Sequence, residues 1–461
     1  MTVLDPSQPL PIYFQLKTLI LEEIAEGRYG PGDRLPTEEE ICRTHGISRT
    51  PVHRALTELA EEGVILRKRR SGTFVNPHWV PRESTEIRVV VTEQKRIGDV
   101  RRAAPSGLTL NVADVGYADL RRTLTRAVAE GLAPDLAIVD SVWISEFADA
   151  GFLLPLDDLD PEWISGDFND DFLSPFVDSL RYRGHLYAVP EESNVAGLWC
   201  HLDALQSRDF EPPETWDELI AIARGLTSVS GRGPHPVIMP GGSRAGETTT
   251  YCLFAVLASN GVRLLDEGVG LDSAAAVDAL RMLRSLVSEG LMSVDVVANE
   301  WDDAPRALAH GRAALSLGGS YEAGVIASEA GLDLNSIWDH FAFVPFPGGP
   351  RGEPATVTGG MAYGIFRQSA RPEMTMRVLK HIASTEALAQ RSMNEPTIPP
   401  RRSTVEMIAP HSPFVARTSE LFTTAVNRPV TRAYHLVSAQ LQSMLEGVLT
   451  GRHGPAAAAE L

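Results

Sequence analysis

The chain has 461 residues, 42 basic against 60 acidic, a formal net charge of −18 and 43% hydrophobic residues. At roughly 100–200 residues per domain, this length suggests about two to four domains of ordinary globular composition. Collagen-like, coiled-coil and wholly disordered classes are excluded, and no apolar run approaches the roughly 18 residues of a membrane span.

The acidic excess is uneven. Residues 1–80 hold 10 basic and 11 acidic residues, net −1, so residues 81–461 hold 32 and 49, net −17. So acidic a body repels nucleic acid and anionic membrane, and any DNA contact belongs to a local patch near the N-terminus. The first residues show neither a basic n-region nor an apolar h-region, so no secretory signal is expected and the cytoplasm is the expected location. Cys42, Cys200 and Cys252 are too few and too widely spaced for a disulfide framework or a structural zinc site. The only lysines are Lys17, Lys68, Lys95 and Lys380.

Leu10, Tyr13, Leu16, Ile20 and Ile24 follow helical spacing, and Gly27 is a plausible stop. Thr37 and Glu40 form a capping box for a short helix that ends before Gly46. Ser48 is placed to cap a further helix, with Pro51 in its first turn and Val52, Leu56 and Leu59 on its apolar face. Val64–Leu66 and Thr73–Val75 read as two strands around a basic tip, Arg67–Gly72. Two capped helices about a tight turn, then a two-stranded wing, can lay the second helix in a major groove. Residues 78–86 contain Pro81 and little periodicity, and read as a linker.

Alternation follows: strands at Ile87–Val91, Leu108–Val112 and Asp135–Val139, with helices at Tyr117–Glu130 and Ser141–Ala150. This order implies a parallel sheet with helices on its faces. Further helices are expected at Thr215–Leu226, Thr248–Asn260, Ser273–Gly290, Ala304–His310, Pro372–Ala383 and Tyr434–Leu449, with strands at Ala314–Leu317 and Phe341–Val344. Residues 454–461 are alanine-rich and expected to be disordered.

The N-terminal motifs resemble the GntR family of bacterial transcription regulators. They run from Pro9–Tyr13 through Gly32–Glu38, Gly46–Val52, Ala55, Leu56, Leu59 and Gly63 to Gly72–Val75. The resemblance implies a DNA-binding domain over residues 1–77, dimeric on a two-fold symmetric, double-stranded operator. The candidate DNA contacts are Arg34, Thr37, Ser48, Arg49, Thr50, His53, Arg54, Lys68, Arg69, Arg70, Gly72 and Thr73. Arg49, first after the cap, can give two donors to a guanine edge or clamp a phosphate. Glu39 stands where the family usually has a basic residue, and His53 where arginine is usual.

The body, residues 87–453, invites two comparisons. An aminotransferase-like domain would need a Schiff-base lysine beside a pyridoxal phosphate, and only Lys95 and Lys380 could supply it. The ordered segments Pro134–Val139, Ala150–Asp157, Gly184–Pro190, Pro212–Leu219, Gly311–Tyr321, Thr358–Gly360 and Ile398–Arg401 instead resemble extracellular solute-binding proteins of the sugar-transport type. The expected fold is therefore an α+β winged helix-turn-helix domain followed by a two-lobed α/β periplasmic-binding-protein-like domain. The resemblance implies a sugar bound on aromatic faces, carboxylates, amides and glycine-exposed backbone. Candidates are Asp140, Trp143, Glu191, Ser193, Asn194, Ser243, Trp301, Tyr321, Glu322, Gly359 and Gly360. Cys200-His201 replaces the family's usual tyrosine-asparagine pair. No nucleophile elbow, zincin motif, phosphate-binding Gly-Lys-Ser loop or Cys-x-x-Cys pair occurs, so no catalytic residue, metal or cofactor is expected.

Overall fold

A computed structural model of the chain describes residues 4, 11–25, 27–68, 71–78, 86–227, 235–264 and 270–460. Arg69, Arg70 and most of the expected linker lie outside them. The chain parts into two compact units. The first runs to Ala137 and takes in Phe147–Leu154 and Ile365–Thr375; the second holds Ile138–Glu146, Pro155–Gly364 and the chain from Met376. The first unit therefore keeps the N-terminal domain together with the first strands of the body.

In the first unit, α1 is Ile12–Ala25, α2 Glu38–His45 and α3 Arg49–Glu61. The Thr37–Glu40 capping box starts α2, and Gly46, left-handed at φ 65°, ends it and opens the tight turn. Tyr13 and Leu16 from α1, Ile41 from α2 and Val52, Leu56 and Leu59 from α3 share one core. The wing is antiparallel: β1, Ile65–Lys68, pairs with β2, Gly72–Val75, in the register Ile65↔Val75 and Lys68↔Gly72.

The same unit continues with β3 (Glu86–Val91), α4 (Gln94–Arg102), β4 (Thr109–Asp114) and α5 (Tyr117–Ala129). β3 runs parallel to β4, and its residues Val89 and Val90 pair with Leu136 and Ala137, which open β5, Leu136–Asp140. Leu120, Leu124 and Val128 form the buried stripe of α5. α4 was not expected from the sequence: only Arg96 and Val100 of its residues are buried, so the stretch lacks an apolar stripe.

The second unit is built on β6, Ala188–His201, a 14-residue strand that patterning did not mark. Its residues from Val195 to Cys200 are buried on both faces, which erases the period-2 alternation of a half-exposed strand. β6 pairs antiparallel with β7 (Leu315–Gly319), β8 (Phe341–Val344) and β9 (Val357–Ile365). β7 and β8 meet the same residues of β6, so they occupy opposite edges, and β9 continues the β8 edge. The register steps from Glu192↔Met361 to Pro190↔Ala362 and leaves Glu191 as a bulge. Pro190, which has no N–H to give to a ladder, is tolerated beside it.

Around this sheet stand α6 (Glu247–Ser259), α7 (Ala274–Ser288) and α8 (Tyr434–Leu449). The expectation of a disordered C-terminal tail is corrected. Pro455–Ala459 forms a short helix, α9, that packs against α7 and α8 and buries Ala458 and Ala459. Alanine carries little hydrophobic signal, yet its small side chain permits close helix packing. Ala458→Asp should cost about 1–3 kcal/mol in urea unfolding, whereas Ala457→Asp, at an exposed position, should stay within roughly 0.5 kcal/mol. Equal, silent effects of the two would mean that the segment does not dock.

Candidate DNA interface and candidate ligand site

Ser48, Arg49, Thr50, His53 and Arg54 are all exposed at the start of α3 and share one of its faces. Ser48 has the extended conformation of an N-cap, yet its hydroxyl makes no capping hydrogen bond. The first N–H groups of α3 and a free hydroxyl thus face outward together, an arrangement suited to a phosphate. The side chain of Arg49 is 82% exposed, and its Nε donates to Glu38 at 2.9 Å. Glu38 also meets His53 Nδ1 at 3.1 Å and Arg67 of β1 at 2.5 Å. Partial burial works against its charge, but the bonds from Arg49 and His53 and the charge of Arg67 hold the Glu38 carboxyl below its ordinary range. Sequence reasoning passed over this residue, because one glutamate among Glu38-Glu39-Glu40 carries no signal of its own.

Other expected contacts are differently engaged. The Thr37 hydroxyl is committed to the capping box. The Arg54 guanidinium lies 3.6 Å from the centre of the Tyr13 ring, donates to its hydroxyl at 2.9 Å and meets Glu58 at 3.1 Å. Lys68 stands over Phe74, beside the partly buried Thr73. Gly72 has φ +118°, and a Cβ there would come 2.9 Å from Arg34 Nε, so glycine lets Arg34 lie against the wing.

In the second unit the expected ligand residues fall into separate groups. Asp140, at the end of β5, caps the next turn through Val142 N–H. Arg428, whose side chain is 5% exposed, reaches Asp140 at 3.5 Å, Ser141 Oγ at 3.3 Å and Glu247 at 2.7 Å. Tyr434 and Ser438 of α8 also donate to Glu247, at 2.6 and 2.7 Å. Burial raises the Glu247 carboxyl, and Arg428 opposes the rise. Arg428 lies 4.9 Å from the Tyr251 ring centre, and the Tyr251 hydroxyl donates to Asn194 at 2.8 Å. Patterning alone singled out none of Arg428, Glu247, Tyr251 or Tyr434. They come from segments distant in sequence, and each reads locally as an ordinary helix or loop residue.

Gly359 and Gly360 serve strand packing. A Cβ on Gly359 would sit 2.5 Å from the Asn194 side-chain oxygen, and one on Gly360 would strike the Glu192 carbonyl. The bulge turns Glu191 and Glu192 to the same side, where both meet Arg391, which is 6% exposed in its side chain. Trp301 is exposed, 6.4 Å from Tyr321 between ring centres, and Ser243 is exposed. Trp143 and Ser193 are buried. Two recesses share Arg428, Pro429 and Val430. One is water-sized and lined also by Ser141, Ser145 and Thr358; the other, about 460 Å³, is lined also by Phe254, Ala258, Val357 and Asn427. The larger falls within the size range of small-molecule sites.

Glu322 is fully buried at the end of β7. Neither carboxyl oxygen makes a hydrogen bond of normal geometry among the described residues. Burial pushes the group well above the usual carboxylate range, only partly offset by the Gly319 backbone. Lys95 pairs with Glu93 and Lys380 with Asp160, so each of the two lysines is held by its own carboxylate. Among the described residues, no cluster of three or more His, Cys, Asp or Glu is arranged to hold a metal ion, and no helix is long and apolar enough to cross a membrane.

The sequence profile of the bacterial extracellular solute-binding proteins matches residues 105–389. The chain belongs to that family. The profile of the bacterial regulatory proteins of the gntR family matches residues 12–75. A Brucella abortus (strain 2308) protein described as a binding protein is 24% identical over 336 residues, covering 70% of this chain and 78% of its own. A Bacillus subtilis (strain 168) HTH-type transcriptional regulator, YurK, is 40% identical over 81 residues, 18% of this chain and 34% of its own. Maltose-bound MalE3 of T. maritima matches with a TM-score of 0.70 and 23% identity, over 81% of this chain and 97% of that one. The chain thus joins a gntR-type winged helix-turn-helix DNA-binding domain to a maltose-binding-protein-like α/β body, and the aminotransferase alternative falls away.

Two outcomes follow from the free Ser48 hydroxyl and the buried Glu322. Ser48→Ala should leave the melting temperature unchanged, since the usual N-cap loss of about 0.5–2 kcal/mol has no bond to remove; DNA affinity should fall alike on all sequences in titrations. Glu322 is an acid whose folded pKa is raised, so it binds its proton more tightly folded than unfolded. Stability therefore falls as pH rises from the unfolded value toward the folded one. Glu322→Gln should raise the melting temperature more at pH 8 than at pH 5; an equal shift at both would assign Glu322 an ionised, paired state.

Proposed function

We propose that the protein is a ligand-responsive transcriptional regulator: it binds operator DNA through α3 and the wing, as a dimer in the cytoplasm, and the bound solute alters that binding. The observation that carries the reading is a physical link inside the first unit. The Tyr13 hydroxyl of α1 donates to the Glu130 carbonyl, at the C-terminal end of α5, at 2.8 Å. It also accepts from Arg54 of α3. Gly131 is left-handed, and a Cβ there would come 2.8 Å from that hydroxyl. One phenol thus touches the DNA-reading helix and the solute-binding body at once.

The solute is a carbohydrate, a mono- or oligosaccharide, and the controlled genes serve its uptake or use. Maltose in the T. maritima relative supports this class. So does the recess of about 460 Å³ lined by Phe254, Asn427 and Arg428, whose size and polar groups suit a small hydroxylated solute. A ligand shifts operator affinity only by its differential affinity for two states.

The test is calorimetry of the full chain with a sugar panel, then operator titration with and without each hit. A binding sugar should move operator affinity by about 5- to 150-fold, the range of typical coupling energies. Tyr13→Phe should keep both affinities and lose most of the coupling. A sugar that binds tightly and leaves operator affinity unchanged refutes the sensor role. Tight binding of a non-carbohydrate alone refutes the ligand class.

A further inference from the structure

We infer that Glu38 sets base specificity by holding Arg49 through Nε, so that the two terminal amino groups of the guanidinium meet a guanine edge as a fork. The inference rests on the reading that α3 enters DNA. Arginine carries five N–H donors in a rigid plane, one on Nε and four on the terminal nitrogens. In this structure the Nε donor is spent on Glu38 Oε2 at 2.9 Å, while the side chain stays 82% exposed. What remains for a partner is the end-on pair, which matches the two acceptors O6 and N7 that guanine presents in the major groove.

Glu38 is itself fixed from three elements. It is the first residue of α2, and the Thr37–Glu40 capping box determines where α2 begins. Its Oε1 accepts from His53 of α3 at 3.1 Å and from Arg67 of β1 at 2.5 Å. Arg67 also donates to Thr57 of α3 at 3.2 Å. The Glu38 side chain is only 14% exposed, so the carboxylate is a rigid post rather than a mobile surface charge. It does two things for Arg49. It removes torsional freedom before DNA arrives, which lowers the entropy lost on binding. It also places a negative charge beside the guanidinium, which disfavours a phosphate as the alternative partner and leaves the uncharged base edge preferred.

Glu38 is thus a positioning residue, and its test must separate specificity from affinity. Operators are selected from a randomised duplex library with the full-length wild-type chain. Affinities for the selected duplex, for each single-base change and for an unrelated duplex are then measured for wild type, Glu38→Gln, Arg49→Ala and the double variant. Glu38→Gln keeps the shape and loses the charge. At one guanine position, wild type should discriminate by about 5- to 150-fold, the range for a bidentate contact. Glu38→Gln should reduce this to a few-fold at that position alone. Its affinity for the unrelated duplex should be unchanged or higher, and its melting temperature unchanged. The double variant should discriminate no worse than Arg49→Ala. Where Glu38→Gln melts early, Glu38→Asp replaces it, because the shortened carboxylate keeps the charge and withdraws the contact. Undiminished guanine discrimination in these variants overturns the inference and leaves the DNA reading standing. So does a loss equal on all sequences, or additivity with Arg49→Ala. Failure of wild type to select any sequence overturns both.

Discussion

The second unit depends on one strand. β6 is paired on both edges and buried on both faces through its C-terminal half, so its register leaves no freedom to slip: a shift of one residue would exchange every side chain between faces. Trp199 is fully buried, donates to the Gly319 carbonyl at 3.0 Å and lies 4.7 Å from Phe343 between ring centres, the rings tilted by 46°. Gly197 is required beneath it, because a Cβ there would lie 2.5 Å from the Val344 carbonyl. The fixed strand then places Asn194 against Tyr251, and Tyr251 against Arg428. The bulge at Glu191 has the opposite effect: it breaks alternation at one point and gathers two carboxylates on Arg391. Regular pairing and one local irregularity together decide which polar groups of the body converge.

The N-terminal domain works by a smaller set of constraints. Gly46 permits the left-handed turn between α2 and α3, and the capping box fixes the start of α2. These two features put Glu38 within reach of Arg49 and His53, and β1 supplies Arg67 to the same carboxylate. The exposed face of α3 is therefore ordered from behind by charge, whereas its buried face is ordered by Val52, Leu56 and Leu59. Arg54 lies against Tyr13, whose hydroxyl also donates to the Glu130 carbonyl.

Elements with a local signature were legible in the sequence. The helix Tyr434–Leu449, the strand Phe341–Val344 and the capping boxes at Thr37 and Thr215 stand where spacing and caps place them. β6 was not legible, because a strand buried on both faces shows no alternation and Pro190 argues against one. α4 was hidden by its polarity, and α9 by its alanines. The same limit applies to the sites. Arg49 was singled out because a motif surrounds it, while Glu38, Arg428 and Glu247 stand out only through partners distant in sequence. Gly359 and Gly360 were singled out through the family resemblance; the geometry adds that a Cβ at either would strike a neighbour, the Asn194 side chain or the Glu192 carbonyl.

Charge links the two ends of the molecule. An N-terminal region of net −1 joined to a body of net −17 draws little sequence-independent attraction from a phosphate backbone. Non-specific binding is then weak, and on the proposed reading a larger share of operator affinity falls to individual side chains such as Arg49. Affinity held by few contacts is sensitive to small displacements of the helix that carries them. In the proposed reading, the hydrogen bond of Tyr13 to Glu130 is the handle, through a coupling of about 1–3 kcal/mol. On that proposal, the acidity of the body keeps it from competing for the phosphate backbone and leaves DNA contact to the winged domain.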